Sequence, residues 1–197
     1  MHQRRSYLEK PAACSSTGWK SNSEVRPKQT GNKGKWQKGA SVAQEIERKY
    51  LPAHDGWRGL APGIMYRQGY LCASPERTVR VRLAGDQAFL TIKGQTQGIS
   101  RAEFEYVIPL ADATALLALC SGPLVEKKRH RIATHGLIWE VDEFYGDNAG
   151  LVVIEVELAC ATQKVVKPDW VGEEVSHDPR YTNAMLSRYP YCSWKKG

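Results

Sequence analysis

Like-charged doublets spaced two residues apart recur along this chain, and they constrain its fold more than any other feature. Glu45 and Glu47 flank Ile46, Arg80 and Arg82 sit among Val79, Val81 and Leu83, and Glu103 and Glu105 flank Phe104. Lys127, Arg129 and Arg131 stand two apart, Glu140 and Asp142 alternate with Trp139 and Val141, and Glu155 and Glu157 alternate with Ile154, Val156 and Leu158. Side chains on a strand alternate faces with period 2, so each doublet puts two like charges on one face and apolar groups on the other. For a single strand, a solvated outer face over an apolar core accounts for this. Six such strands fit that account poorly. Like charges on one face repel, a plain surface mixes signs, and here acids and bases occupy separate strands.

If the sheet closes with its charged face inward, unpaired charge makes an untenable structural core. A wet lumen that takes an anionic ligand and divalent cations resolves the difficulty. Carboxylates supply hard oxygen ligands for Mg²⁺ or Mn²⁺, and the Arg/Lys strands supply donors for phosphate oxygens. Short alternating runs are expected as strands at about 44–51, 63–72, 77–84, 87–93, 101–108, 125–132, 137–144 and 151–158, separated by Gly-rich turn signals. The fold class is mainly β (α+β): an eight-stranded antiparallel closed β-tunnel with a charged lumen and helices packed outside. One helix is expected at 111–120, with Asp112 as its cap, a second near 180–189 and a short one near 161–166.

Of the 28 basic and 21 acidic residues, nine basic and two acidic ones fall in residues 1–40, which therefore hold the whole net charge of +7. That segment shows no periodicity and is expected to be a disordered basic tail. The neutral remainder, with residues 41–190 as one domain and 191–197 as a C-terminal tail, argues against a nucleic-acid groove on the folded body. No stretch approaches 18 apolar residues, which excludes a membrane-spanning helix. Five cysteines at long spacings without a CxxC exclude a disulfide framework or zinc knuckle. Arg4 and Arg5 are not followed by an apolar run, so no secretory signal is expected and the cytoplasm is the default location.

Glu45-Ile46-Glu47-Arg48-Lys49 resembles the ExExK signature of the CYTH, or triphosphate tunnel metalloenzyme, superfamily. Later segments are similar to it in order: Val79-Arg80-Val81-Arg82, Thr91-Ile92-Lys93, Ser100-Arg101-Ala102-Glu103-Phe104-Glu105, Val125-Glu126-Lys127-Lys128-Arg129, Trp139-Glu140-Val141-Asp142 and Ile154-Glu155-Val156-Glu157. Trp170-Val171-Gly172-Glu173-Glu174-Val175 and Asp178-Pro179-Arg180-Tyr181-Thr182-Asn183 resemble the short bacterial branch. The resemblance implies an eight-stranded tunnel and metal-dependent hydrolysis of a triphosphate, with inorganic triphosphate as the substrate in the compact bacterial branch. Class IV adenylate cyclases and thiamine or nucleoside triphosphatases are the alternatives within the superfamily. The cyclase branch carries His-Phe shortly before ExExK, where this chain has Gly39 and Ala40. A non-catalytic module for polyphosphate or 5′-triphosphate RNA would keep the bases but not need the acids.

The residues and the resemblance agree on a division of labour. Arg80, Arg82, Lys93, Lys127 and Arg129 are the expected phosphate clamp. Glu45, Glu47, Glu155 and Glu157 are the expected metal ligands, with Asp142 and Glu105 next in line. Lys49 shares the face of Glu45 and Glu47 and is expected to touch phosphate and serve catalysis, with its pKa lowered by neighbouring cations. Tyr70 is a candidate to orient water or relay a proton, although a packed strand aromatic explains it equally well. Arg101, Arg131, Glu103 and Glu140 match the signature without an assigned role. Trp57, Trp139, Trp170 and Tyr66 are candidates to stack a nucleobase or thiamine, and pairing of two tunnels into a homodimer stays open.

Overall fold

The computed structural model of the protein describes residues 43–194. The basic tail expected at 1–40 and the last three residues lie outside the described residues. Among the described residues nine strands form: β1 (Ala43–Pro52), β2 (Gly63–Ala73), β3 (Arg77–Ala84), β4 (Gln87–Gly94), β5 (Ser100–Val107), β6 (Val125–Thr134), β7 (Leu137–Phe144), β8 (Val152–Glu157) and β9 (Val171–Glu174). The sheet runs β5-β4-β3-β2-β6-β7-β8-β1, and β1 pairs back onto β5. Eight strands thus close into an antiparallel barrel without free edges, which removes the hazard of an open sheet. Each expected strand is present to within about two residues.

Tight turns close the hairpins. β6 and β7 meet through His135-Gly136, both at positive φ (50° and 74°). That is the backbone of a type I′ turn, whose twist matches the flanking strands. In β2 the register slips between Tyr70 and Cys72, a bulge that breaks the alternation just after Tyr70 has been aimed inward.

The ninth strand was not legible in the alternation. It is four residues long and adds to the far half of β1, opposite Tyr50 and Pro52. Gly172 permits this approach, since a Cβ there would lie 2.9 Å from the Leu51 carbonyl oxygen.

The apolar faces point outward, as the doublets require, and are covered. Trp57 from the β1–β2 loop and Trp170 pack over Ile46, Trp139, Val141, Ile154 and Val156. Helix α1 (Leu110–Ala118) packs Ala113 and Leu117 on Val81 and Ala88 of β3 and β4. The helix starts one residue earlier than expected, and Pro109 occupies the cap position. Asp112 lies inside the first turn and makes no cap bond. Its charge there opposes the helix dipole's positive end.

The other two helical expectations are corrected. Residues 161–166 form turns and extended chain, with Gln163 bonding back to the Ala159 amide. Near 180–189 the helix shrinks to α2 (Asn183–Leu186), capped by the Thr182 hydroxyl and preceded by a 3-10 turn at Pro179–Tyr181. Moreover, α2 does not sit outside the barrel. Val125, Phe144 and Val153 continue the inward rows of Lys127, Asp142 and Glu155, and Leu186 packs on them with Tyr181, Tyr191 and Trp194 around it. The C-terminal segment therefore closes one end of the lumen, and packed structure extends past residue 190 to Trp194. No helix of the described residues is long and apolar enough to cross a membrane.

Candidate active site in the barrel lumen

The lumen encloses a cavity of about 730 Å³. Inward-facing positions of β1, β2, β3, β4, β5, β6, β7 and β8 all reach it. Of the residues expected at the site, Glu45, Glu47, Lys49, Tyr70, Arg80, Arg82, Lys93, Glu105, Arg129, Glu155 and Glu157 line it, and so do Arg101, Glu103 and Glu140. Lys127 and Asp142 do not line it. They lie deeper, beneath Asn183 of the C-terminal segment. The Lys127 ammonium donates to Asp142 at 2.5 Å and to the Asn183 amide oxygen at 3.2 Å, and Asp142 is completely buried.

Three ion clusters divide the wall. In the first, Lys49 bridges Glu155 at 2.5 Å and Glu47 at 2.8 Å. Arg129 continues this cluster, donating to Glu155 at 2.6 Å, to both oxygens of Asp142, and to Glu140. In the second, Glu45 accepts from Lys93 at 2.6 and 2.7 Å and from the Arg101 Nε at 2.8 Å. The third is lean in acid. Arg80 and Arg82 share one carboxylate, Glu105, at 3.6 and 2.8 Å, and Arg80 also donates to the Thr91 hydroxyl. The buried Nε of each of these arginines has no partner.

Electrostatics follows this partition. Burial works against the charge of Glu155, but Lys49, Arg129 and Lys127 hold its carboxyl well below the usual range. Burial opposes the charge of Glu45 too, and Lys93 and Arg101 overcome it, pulling the group down to about 2. Glu157 behaves in the opposite way: burial and then Glu45, Glu140 and Glu47 push it up. Burial, followed by the Arg80 charge, pulls Arg82 down. The expected depression of Lys49 does not occur. Burial alone would lower it, but its immediate neighbours are carboxylates, and Glu155 and Glu47 raise it above its ordinary value. Lys127 is instead the depressed lysine, brought to about 8 by burial and then by Arg129.

The Tyr70 hydroxyl is raised by burial and bonds to no protein group among the described residues, although Arg80, Arg101 and Lys49 lie in electrostatic reach. The proposed tryptophan stacking surfaces are absent from the lumen: Trp57, Trp139 and Trp170 are buried in the outer apolar core. Tyr66 does face inward, with the guanidinium groups of Arg82 and Arg129 at 5.3 and 5.4 Å from its ring centre. Gln68 escaped the sequence reading. It is fully buried opposite Arg82, and neither atom of its amide has a partner. Its position two residues from Tyr70 on the inward face was the available signal.

Donors suited to a divalent cation lie along β1 and at its pairing with β8. Glu47 stands directly opposite Glu157, and Glu157 has no cationic partner among the described residues. The hard carboxylate set of Glu45, Glu47 and Glu157 fits Mg²⁺ or Mn²⁺ in kind. Among the described residues no three acidic, histidine or cysteine side chains converge on a ready-made site. Glu45 and Glu47 are turned instead onto Lys93, Arg101 and Lys49.

A closed antiparallel barrel that keeps its charge inside and its apolar side chains outside, with the two signs sorted onto different walls, defines a distinct class of β-tunnel. The chain belongs to the CYTH domain family, which matches residues 43–183. It is 45% identical over 156 residues to an inorganic triphosphatase of Acetivibrio thermocellus, covering 79% of this chain and 100% of that protein. A second relative, an inorganic triphosphatase of Nitrosomonas europaea, is 37% identical over 149 residues, covering 73% of this chain and 96% of the relative. The crystal structure of an inorganic triphosphatase superposes with a TM-score of 0.55 at 33% identity, spanning 76% of this chain and 97% of that one.

Proposed function

We propose that this protein hydrolyses inorganic triphosphate to diphosphate and phosphate inside the lumen, with Mg²⁺ or Mn²⁺ as its cofactor. The polarity of the lumen carries this reading. On one wall Arg80 and Arg82 share a single carboxylate. On the other, Glu157 makes no ion pair among the described residues, and burial with the Glu45, Glu140 and Glu47 charges outweighs the pull of Lys93 and pushes it up. A linear polyanion accompanied by a divalent cation supplies both missing charges at once. The names of the two relatives support the same substrate.

In this reading Arg80 and Arg82 donate to phosphate oxygens, with Lys93 and Arg129 extending the clamp. Lys127 and Asp142, which do not reach the cavity, position Arg129 from behind. Glu45, Glu47 and Glu157 would hold the cation. When bound, it neutralises charge on the phosphoryl group being transferred. Glu155 keeps Lys49 and Arg129 oriented, and Glu105 does the same for the arginine pair. Lys49, charged at neutral pH, acts as a donor to a phosphoryl oxygen rather than as a base. Phosphoryl transfer asks mainly for positioning and charge stabilisation, so water attacking in line and oriented by the Tyr70 hydroxyl needs no covalent nucleophile. The free thiols Cys72, Cys120, Cys160 and Cys192 fit a reducing compartment, for which the cytoplasm is proposed.

The test is phosphate release from tripolyphosphate and from ATP at equal concentration with Mg²⁺, with and without chelator. Tripolyphosphate is expected to be preferred and chelation to abolish turnover. Comparable kcat/KM values for the two substrates, or formation of cyclic AMP, reject inorganic triphosphate as the substrate.

A further inference from the structure

Arg101 has no role in the mechanism above, yet it occupies a telling place. It projects from β5 opposite Glu45 of β1. Its Nε lies 2.8 Å from Glu45 and its terminal nitrogen 3.5 Å from Glu47. It therefore bridges two of the three carboxylates, Glu45, Glu47 and Glu157, proposed to hold the cation. Lys93 also holds Glu45, but its side chain is 9% exposed and ties Glu103 as well, whereas that of Arg101 is 23% exposed. Of the two cations, Arg101 has the freer path away.

Three carboxylates gathered without a counterion would repel one another, and the effect is visible on Glu157, which Arg101 does not reach. A divalent cation taking oxygens from Glu45 and Glu47 meets the guanidinium already seated on them. A divalent cation on the same oxygens both repels that guanidinium and competes with it for them. This also accounts for carboxylates that suit a cation chemically and yet do not converge.

We propose that Arg101 is a resident counter-cation of the Glu45–Glu47 pair, and that a divalent cation enters the lumen only by displacing it. The proposal rests on the lumen being a cation-dependent triphosphate site. Arg101 is thus a positioning residue that sets the metal concentration at which the protein becomes active. It keeps the carboxylates neutralised until metal arrives.

The experiment is a calorimetric titration of the full chain with Mn²⁺ alone, comparing wild type with Arg101→Gln, Arg101→Met and Arg101→Lys, each checked for folding by circular dichroism. Both neutral variants are expected to bind Mn²⁺ at least about tenfold tighter, equivalent to about 1.4 kcal/mol. Arg101→Lys keeps the charge and is expected to bind Mn²⁺ as wild type does. Adding Glu47→Gln to Arg101→Gln is expected to remove the gain. Unchanged or weaker binding in the neutral variants overturns the proposal, and it leaves the lumen reading standing if wild-type tripolyphosphate hydrolysis is still metal-dependent. Failure of both neutral variants to fold overturns it as well, by making Arg101 a structural counterion. Metal-independent hydrolysis by the wild type sinks the lumen reading and this proposal together.

Discussion

Replacing Glu155 and Glu157 by glutamine, one at a time, is expected to move stability in opposite directions, although the two residues share one face of β8. Glu155 is buried and bridges Lys49 at 2.5 Å and Arg129 at 2.6 Å. Glutamine keeps the shape but leaves two buried cations short of a partner. Breaking a buried pair from one side costs about 3–5 kcal/mol. At about 2–4 °C per kcal/mol for a domain of this size, the melting temperature falls by roughly 6–20 °C. Glu157 is more exposed and has no counterion, so Glu157→Gln relieves repulsion from Glu45, Glu140 and Glu47. It is expected to stay within about 0.5 kcal/mol of wild type, on the stabilising side.

The pH dependence follows from the directions of the two shifts. Glu155 is held below the usual range, so its contribution is complete above the unfolded carboxylate value of about 4.3 and is lost as pH falls through the lower folded value. The gap between wild type and Glu155→Gln is therefore full at pH 7 and closes in strong acid. Glu157 is shifted upward, so the small advantage of its glutamine variant is present at pH 7 and vanishes once both folded and unfolded forms are protonated. Thermal and urea unfolding of metal-free protein across this range measures both effects. Equal destabilisation by the two substitutions would refute the assignment of one acid to the ion-pair network and the other to the open cation site.

The acid and base walls are expected to fail differently in activity. Arg80→Ala, which removes a donor aimed at phosphate, loses on the order of 10²-fold in rate without recovery on adding metal, while Glu47→Gln loses rate that Mn²⁺ partly restores; a metal titration of both variants decides. A protein lacking residues 1–39 is expected to keep its turnover, because the lumen is built from residue 45 onward, and a tenfold fall in kcat, about 1.4 kcal/mol, with the fold intact contradicts this.

The barrel was legible because period-2 alternation is a local property that survives without neighbours. Each doublet fixes which face of its strand carries charge, and like charges sorted strand by strand fit an inward wet lumen better than an outer surface of mixed sign. The outward core of Trp139, Val141, Ile154 and Val156 follows from that placement, whereas strand number and closure need the turn signals and the family resemblance as well. Elements lacking a period were not legible. β9 is too short to alternate and exists because Gly172 tolerates the Leu51 carbonyl at 2.9 Å from where a Cβ would stand. The four-residue α2 has its cap signal in Thr182 but not its location, since nothing local states that Leu186 will meet Phe144 and Val153 inside the barrel.

Depth along the lumen was the second thing the pattern could not give. Alternation assigns Lys127, Arg129 and Arg131 to one face, yet Lys127 is sealed beneath Asn183, Arg129 lines the cavity and Arg131 is exposed. Pairing partners were likewise hidden. The inward face of Lys49 is readable from the sequence, but not that it meets carboxylates there rather than cations. The residues it meets, Glu155 and Glu47, come from across the β1–β8 ladder and from its own inward row. The same ladder explains why composition alone misleads about this site. A lumen with nearly balanced charge looks inert, but its balance is local, satisfied around Glu155 and Glu45 and unsatisfied at Arg80–Arg82 and at Glu157. A ligand that brings phosphate to the first gap and a cation to the second completes both walls. That is why the two gaps, rather than the many ion pairs, mark where the chemistry is proposed to occur.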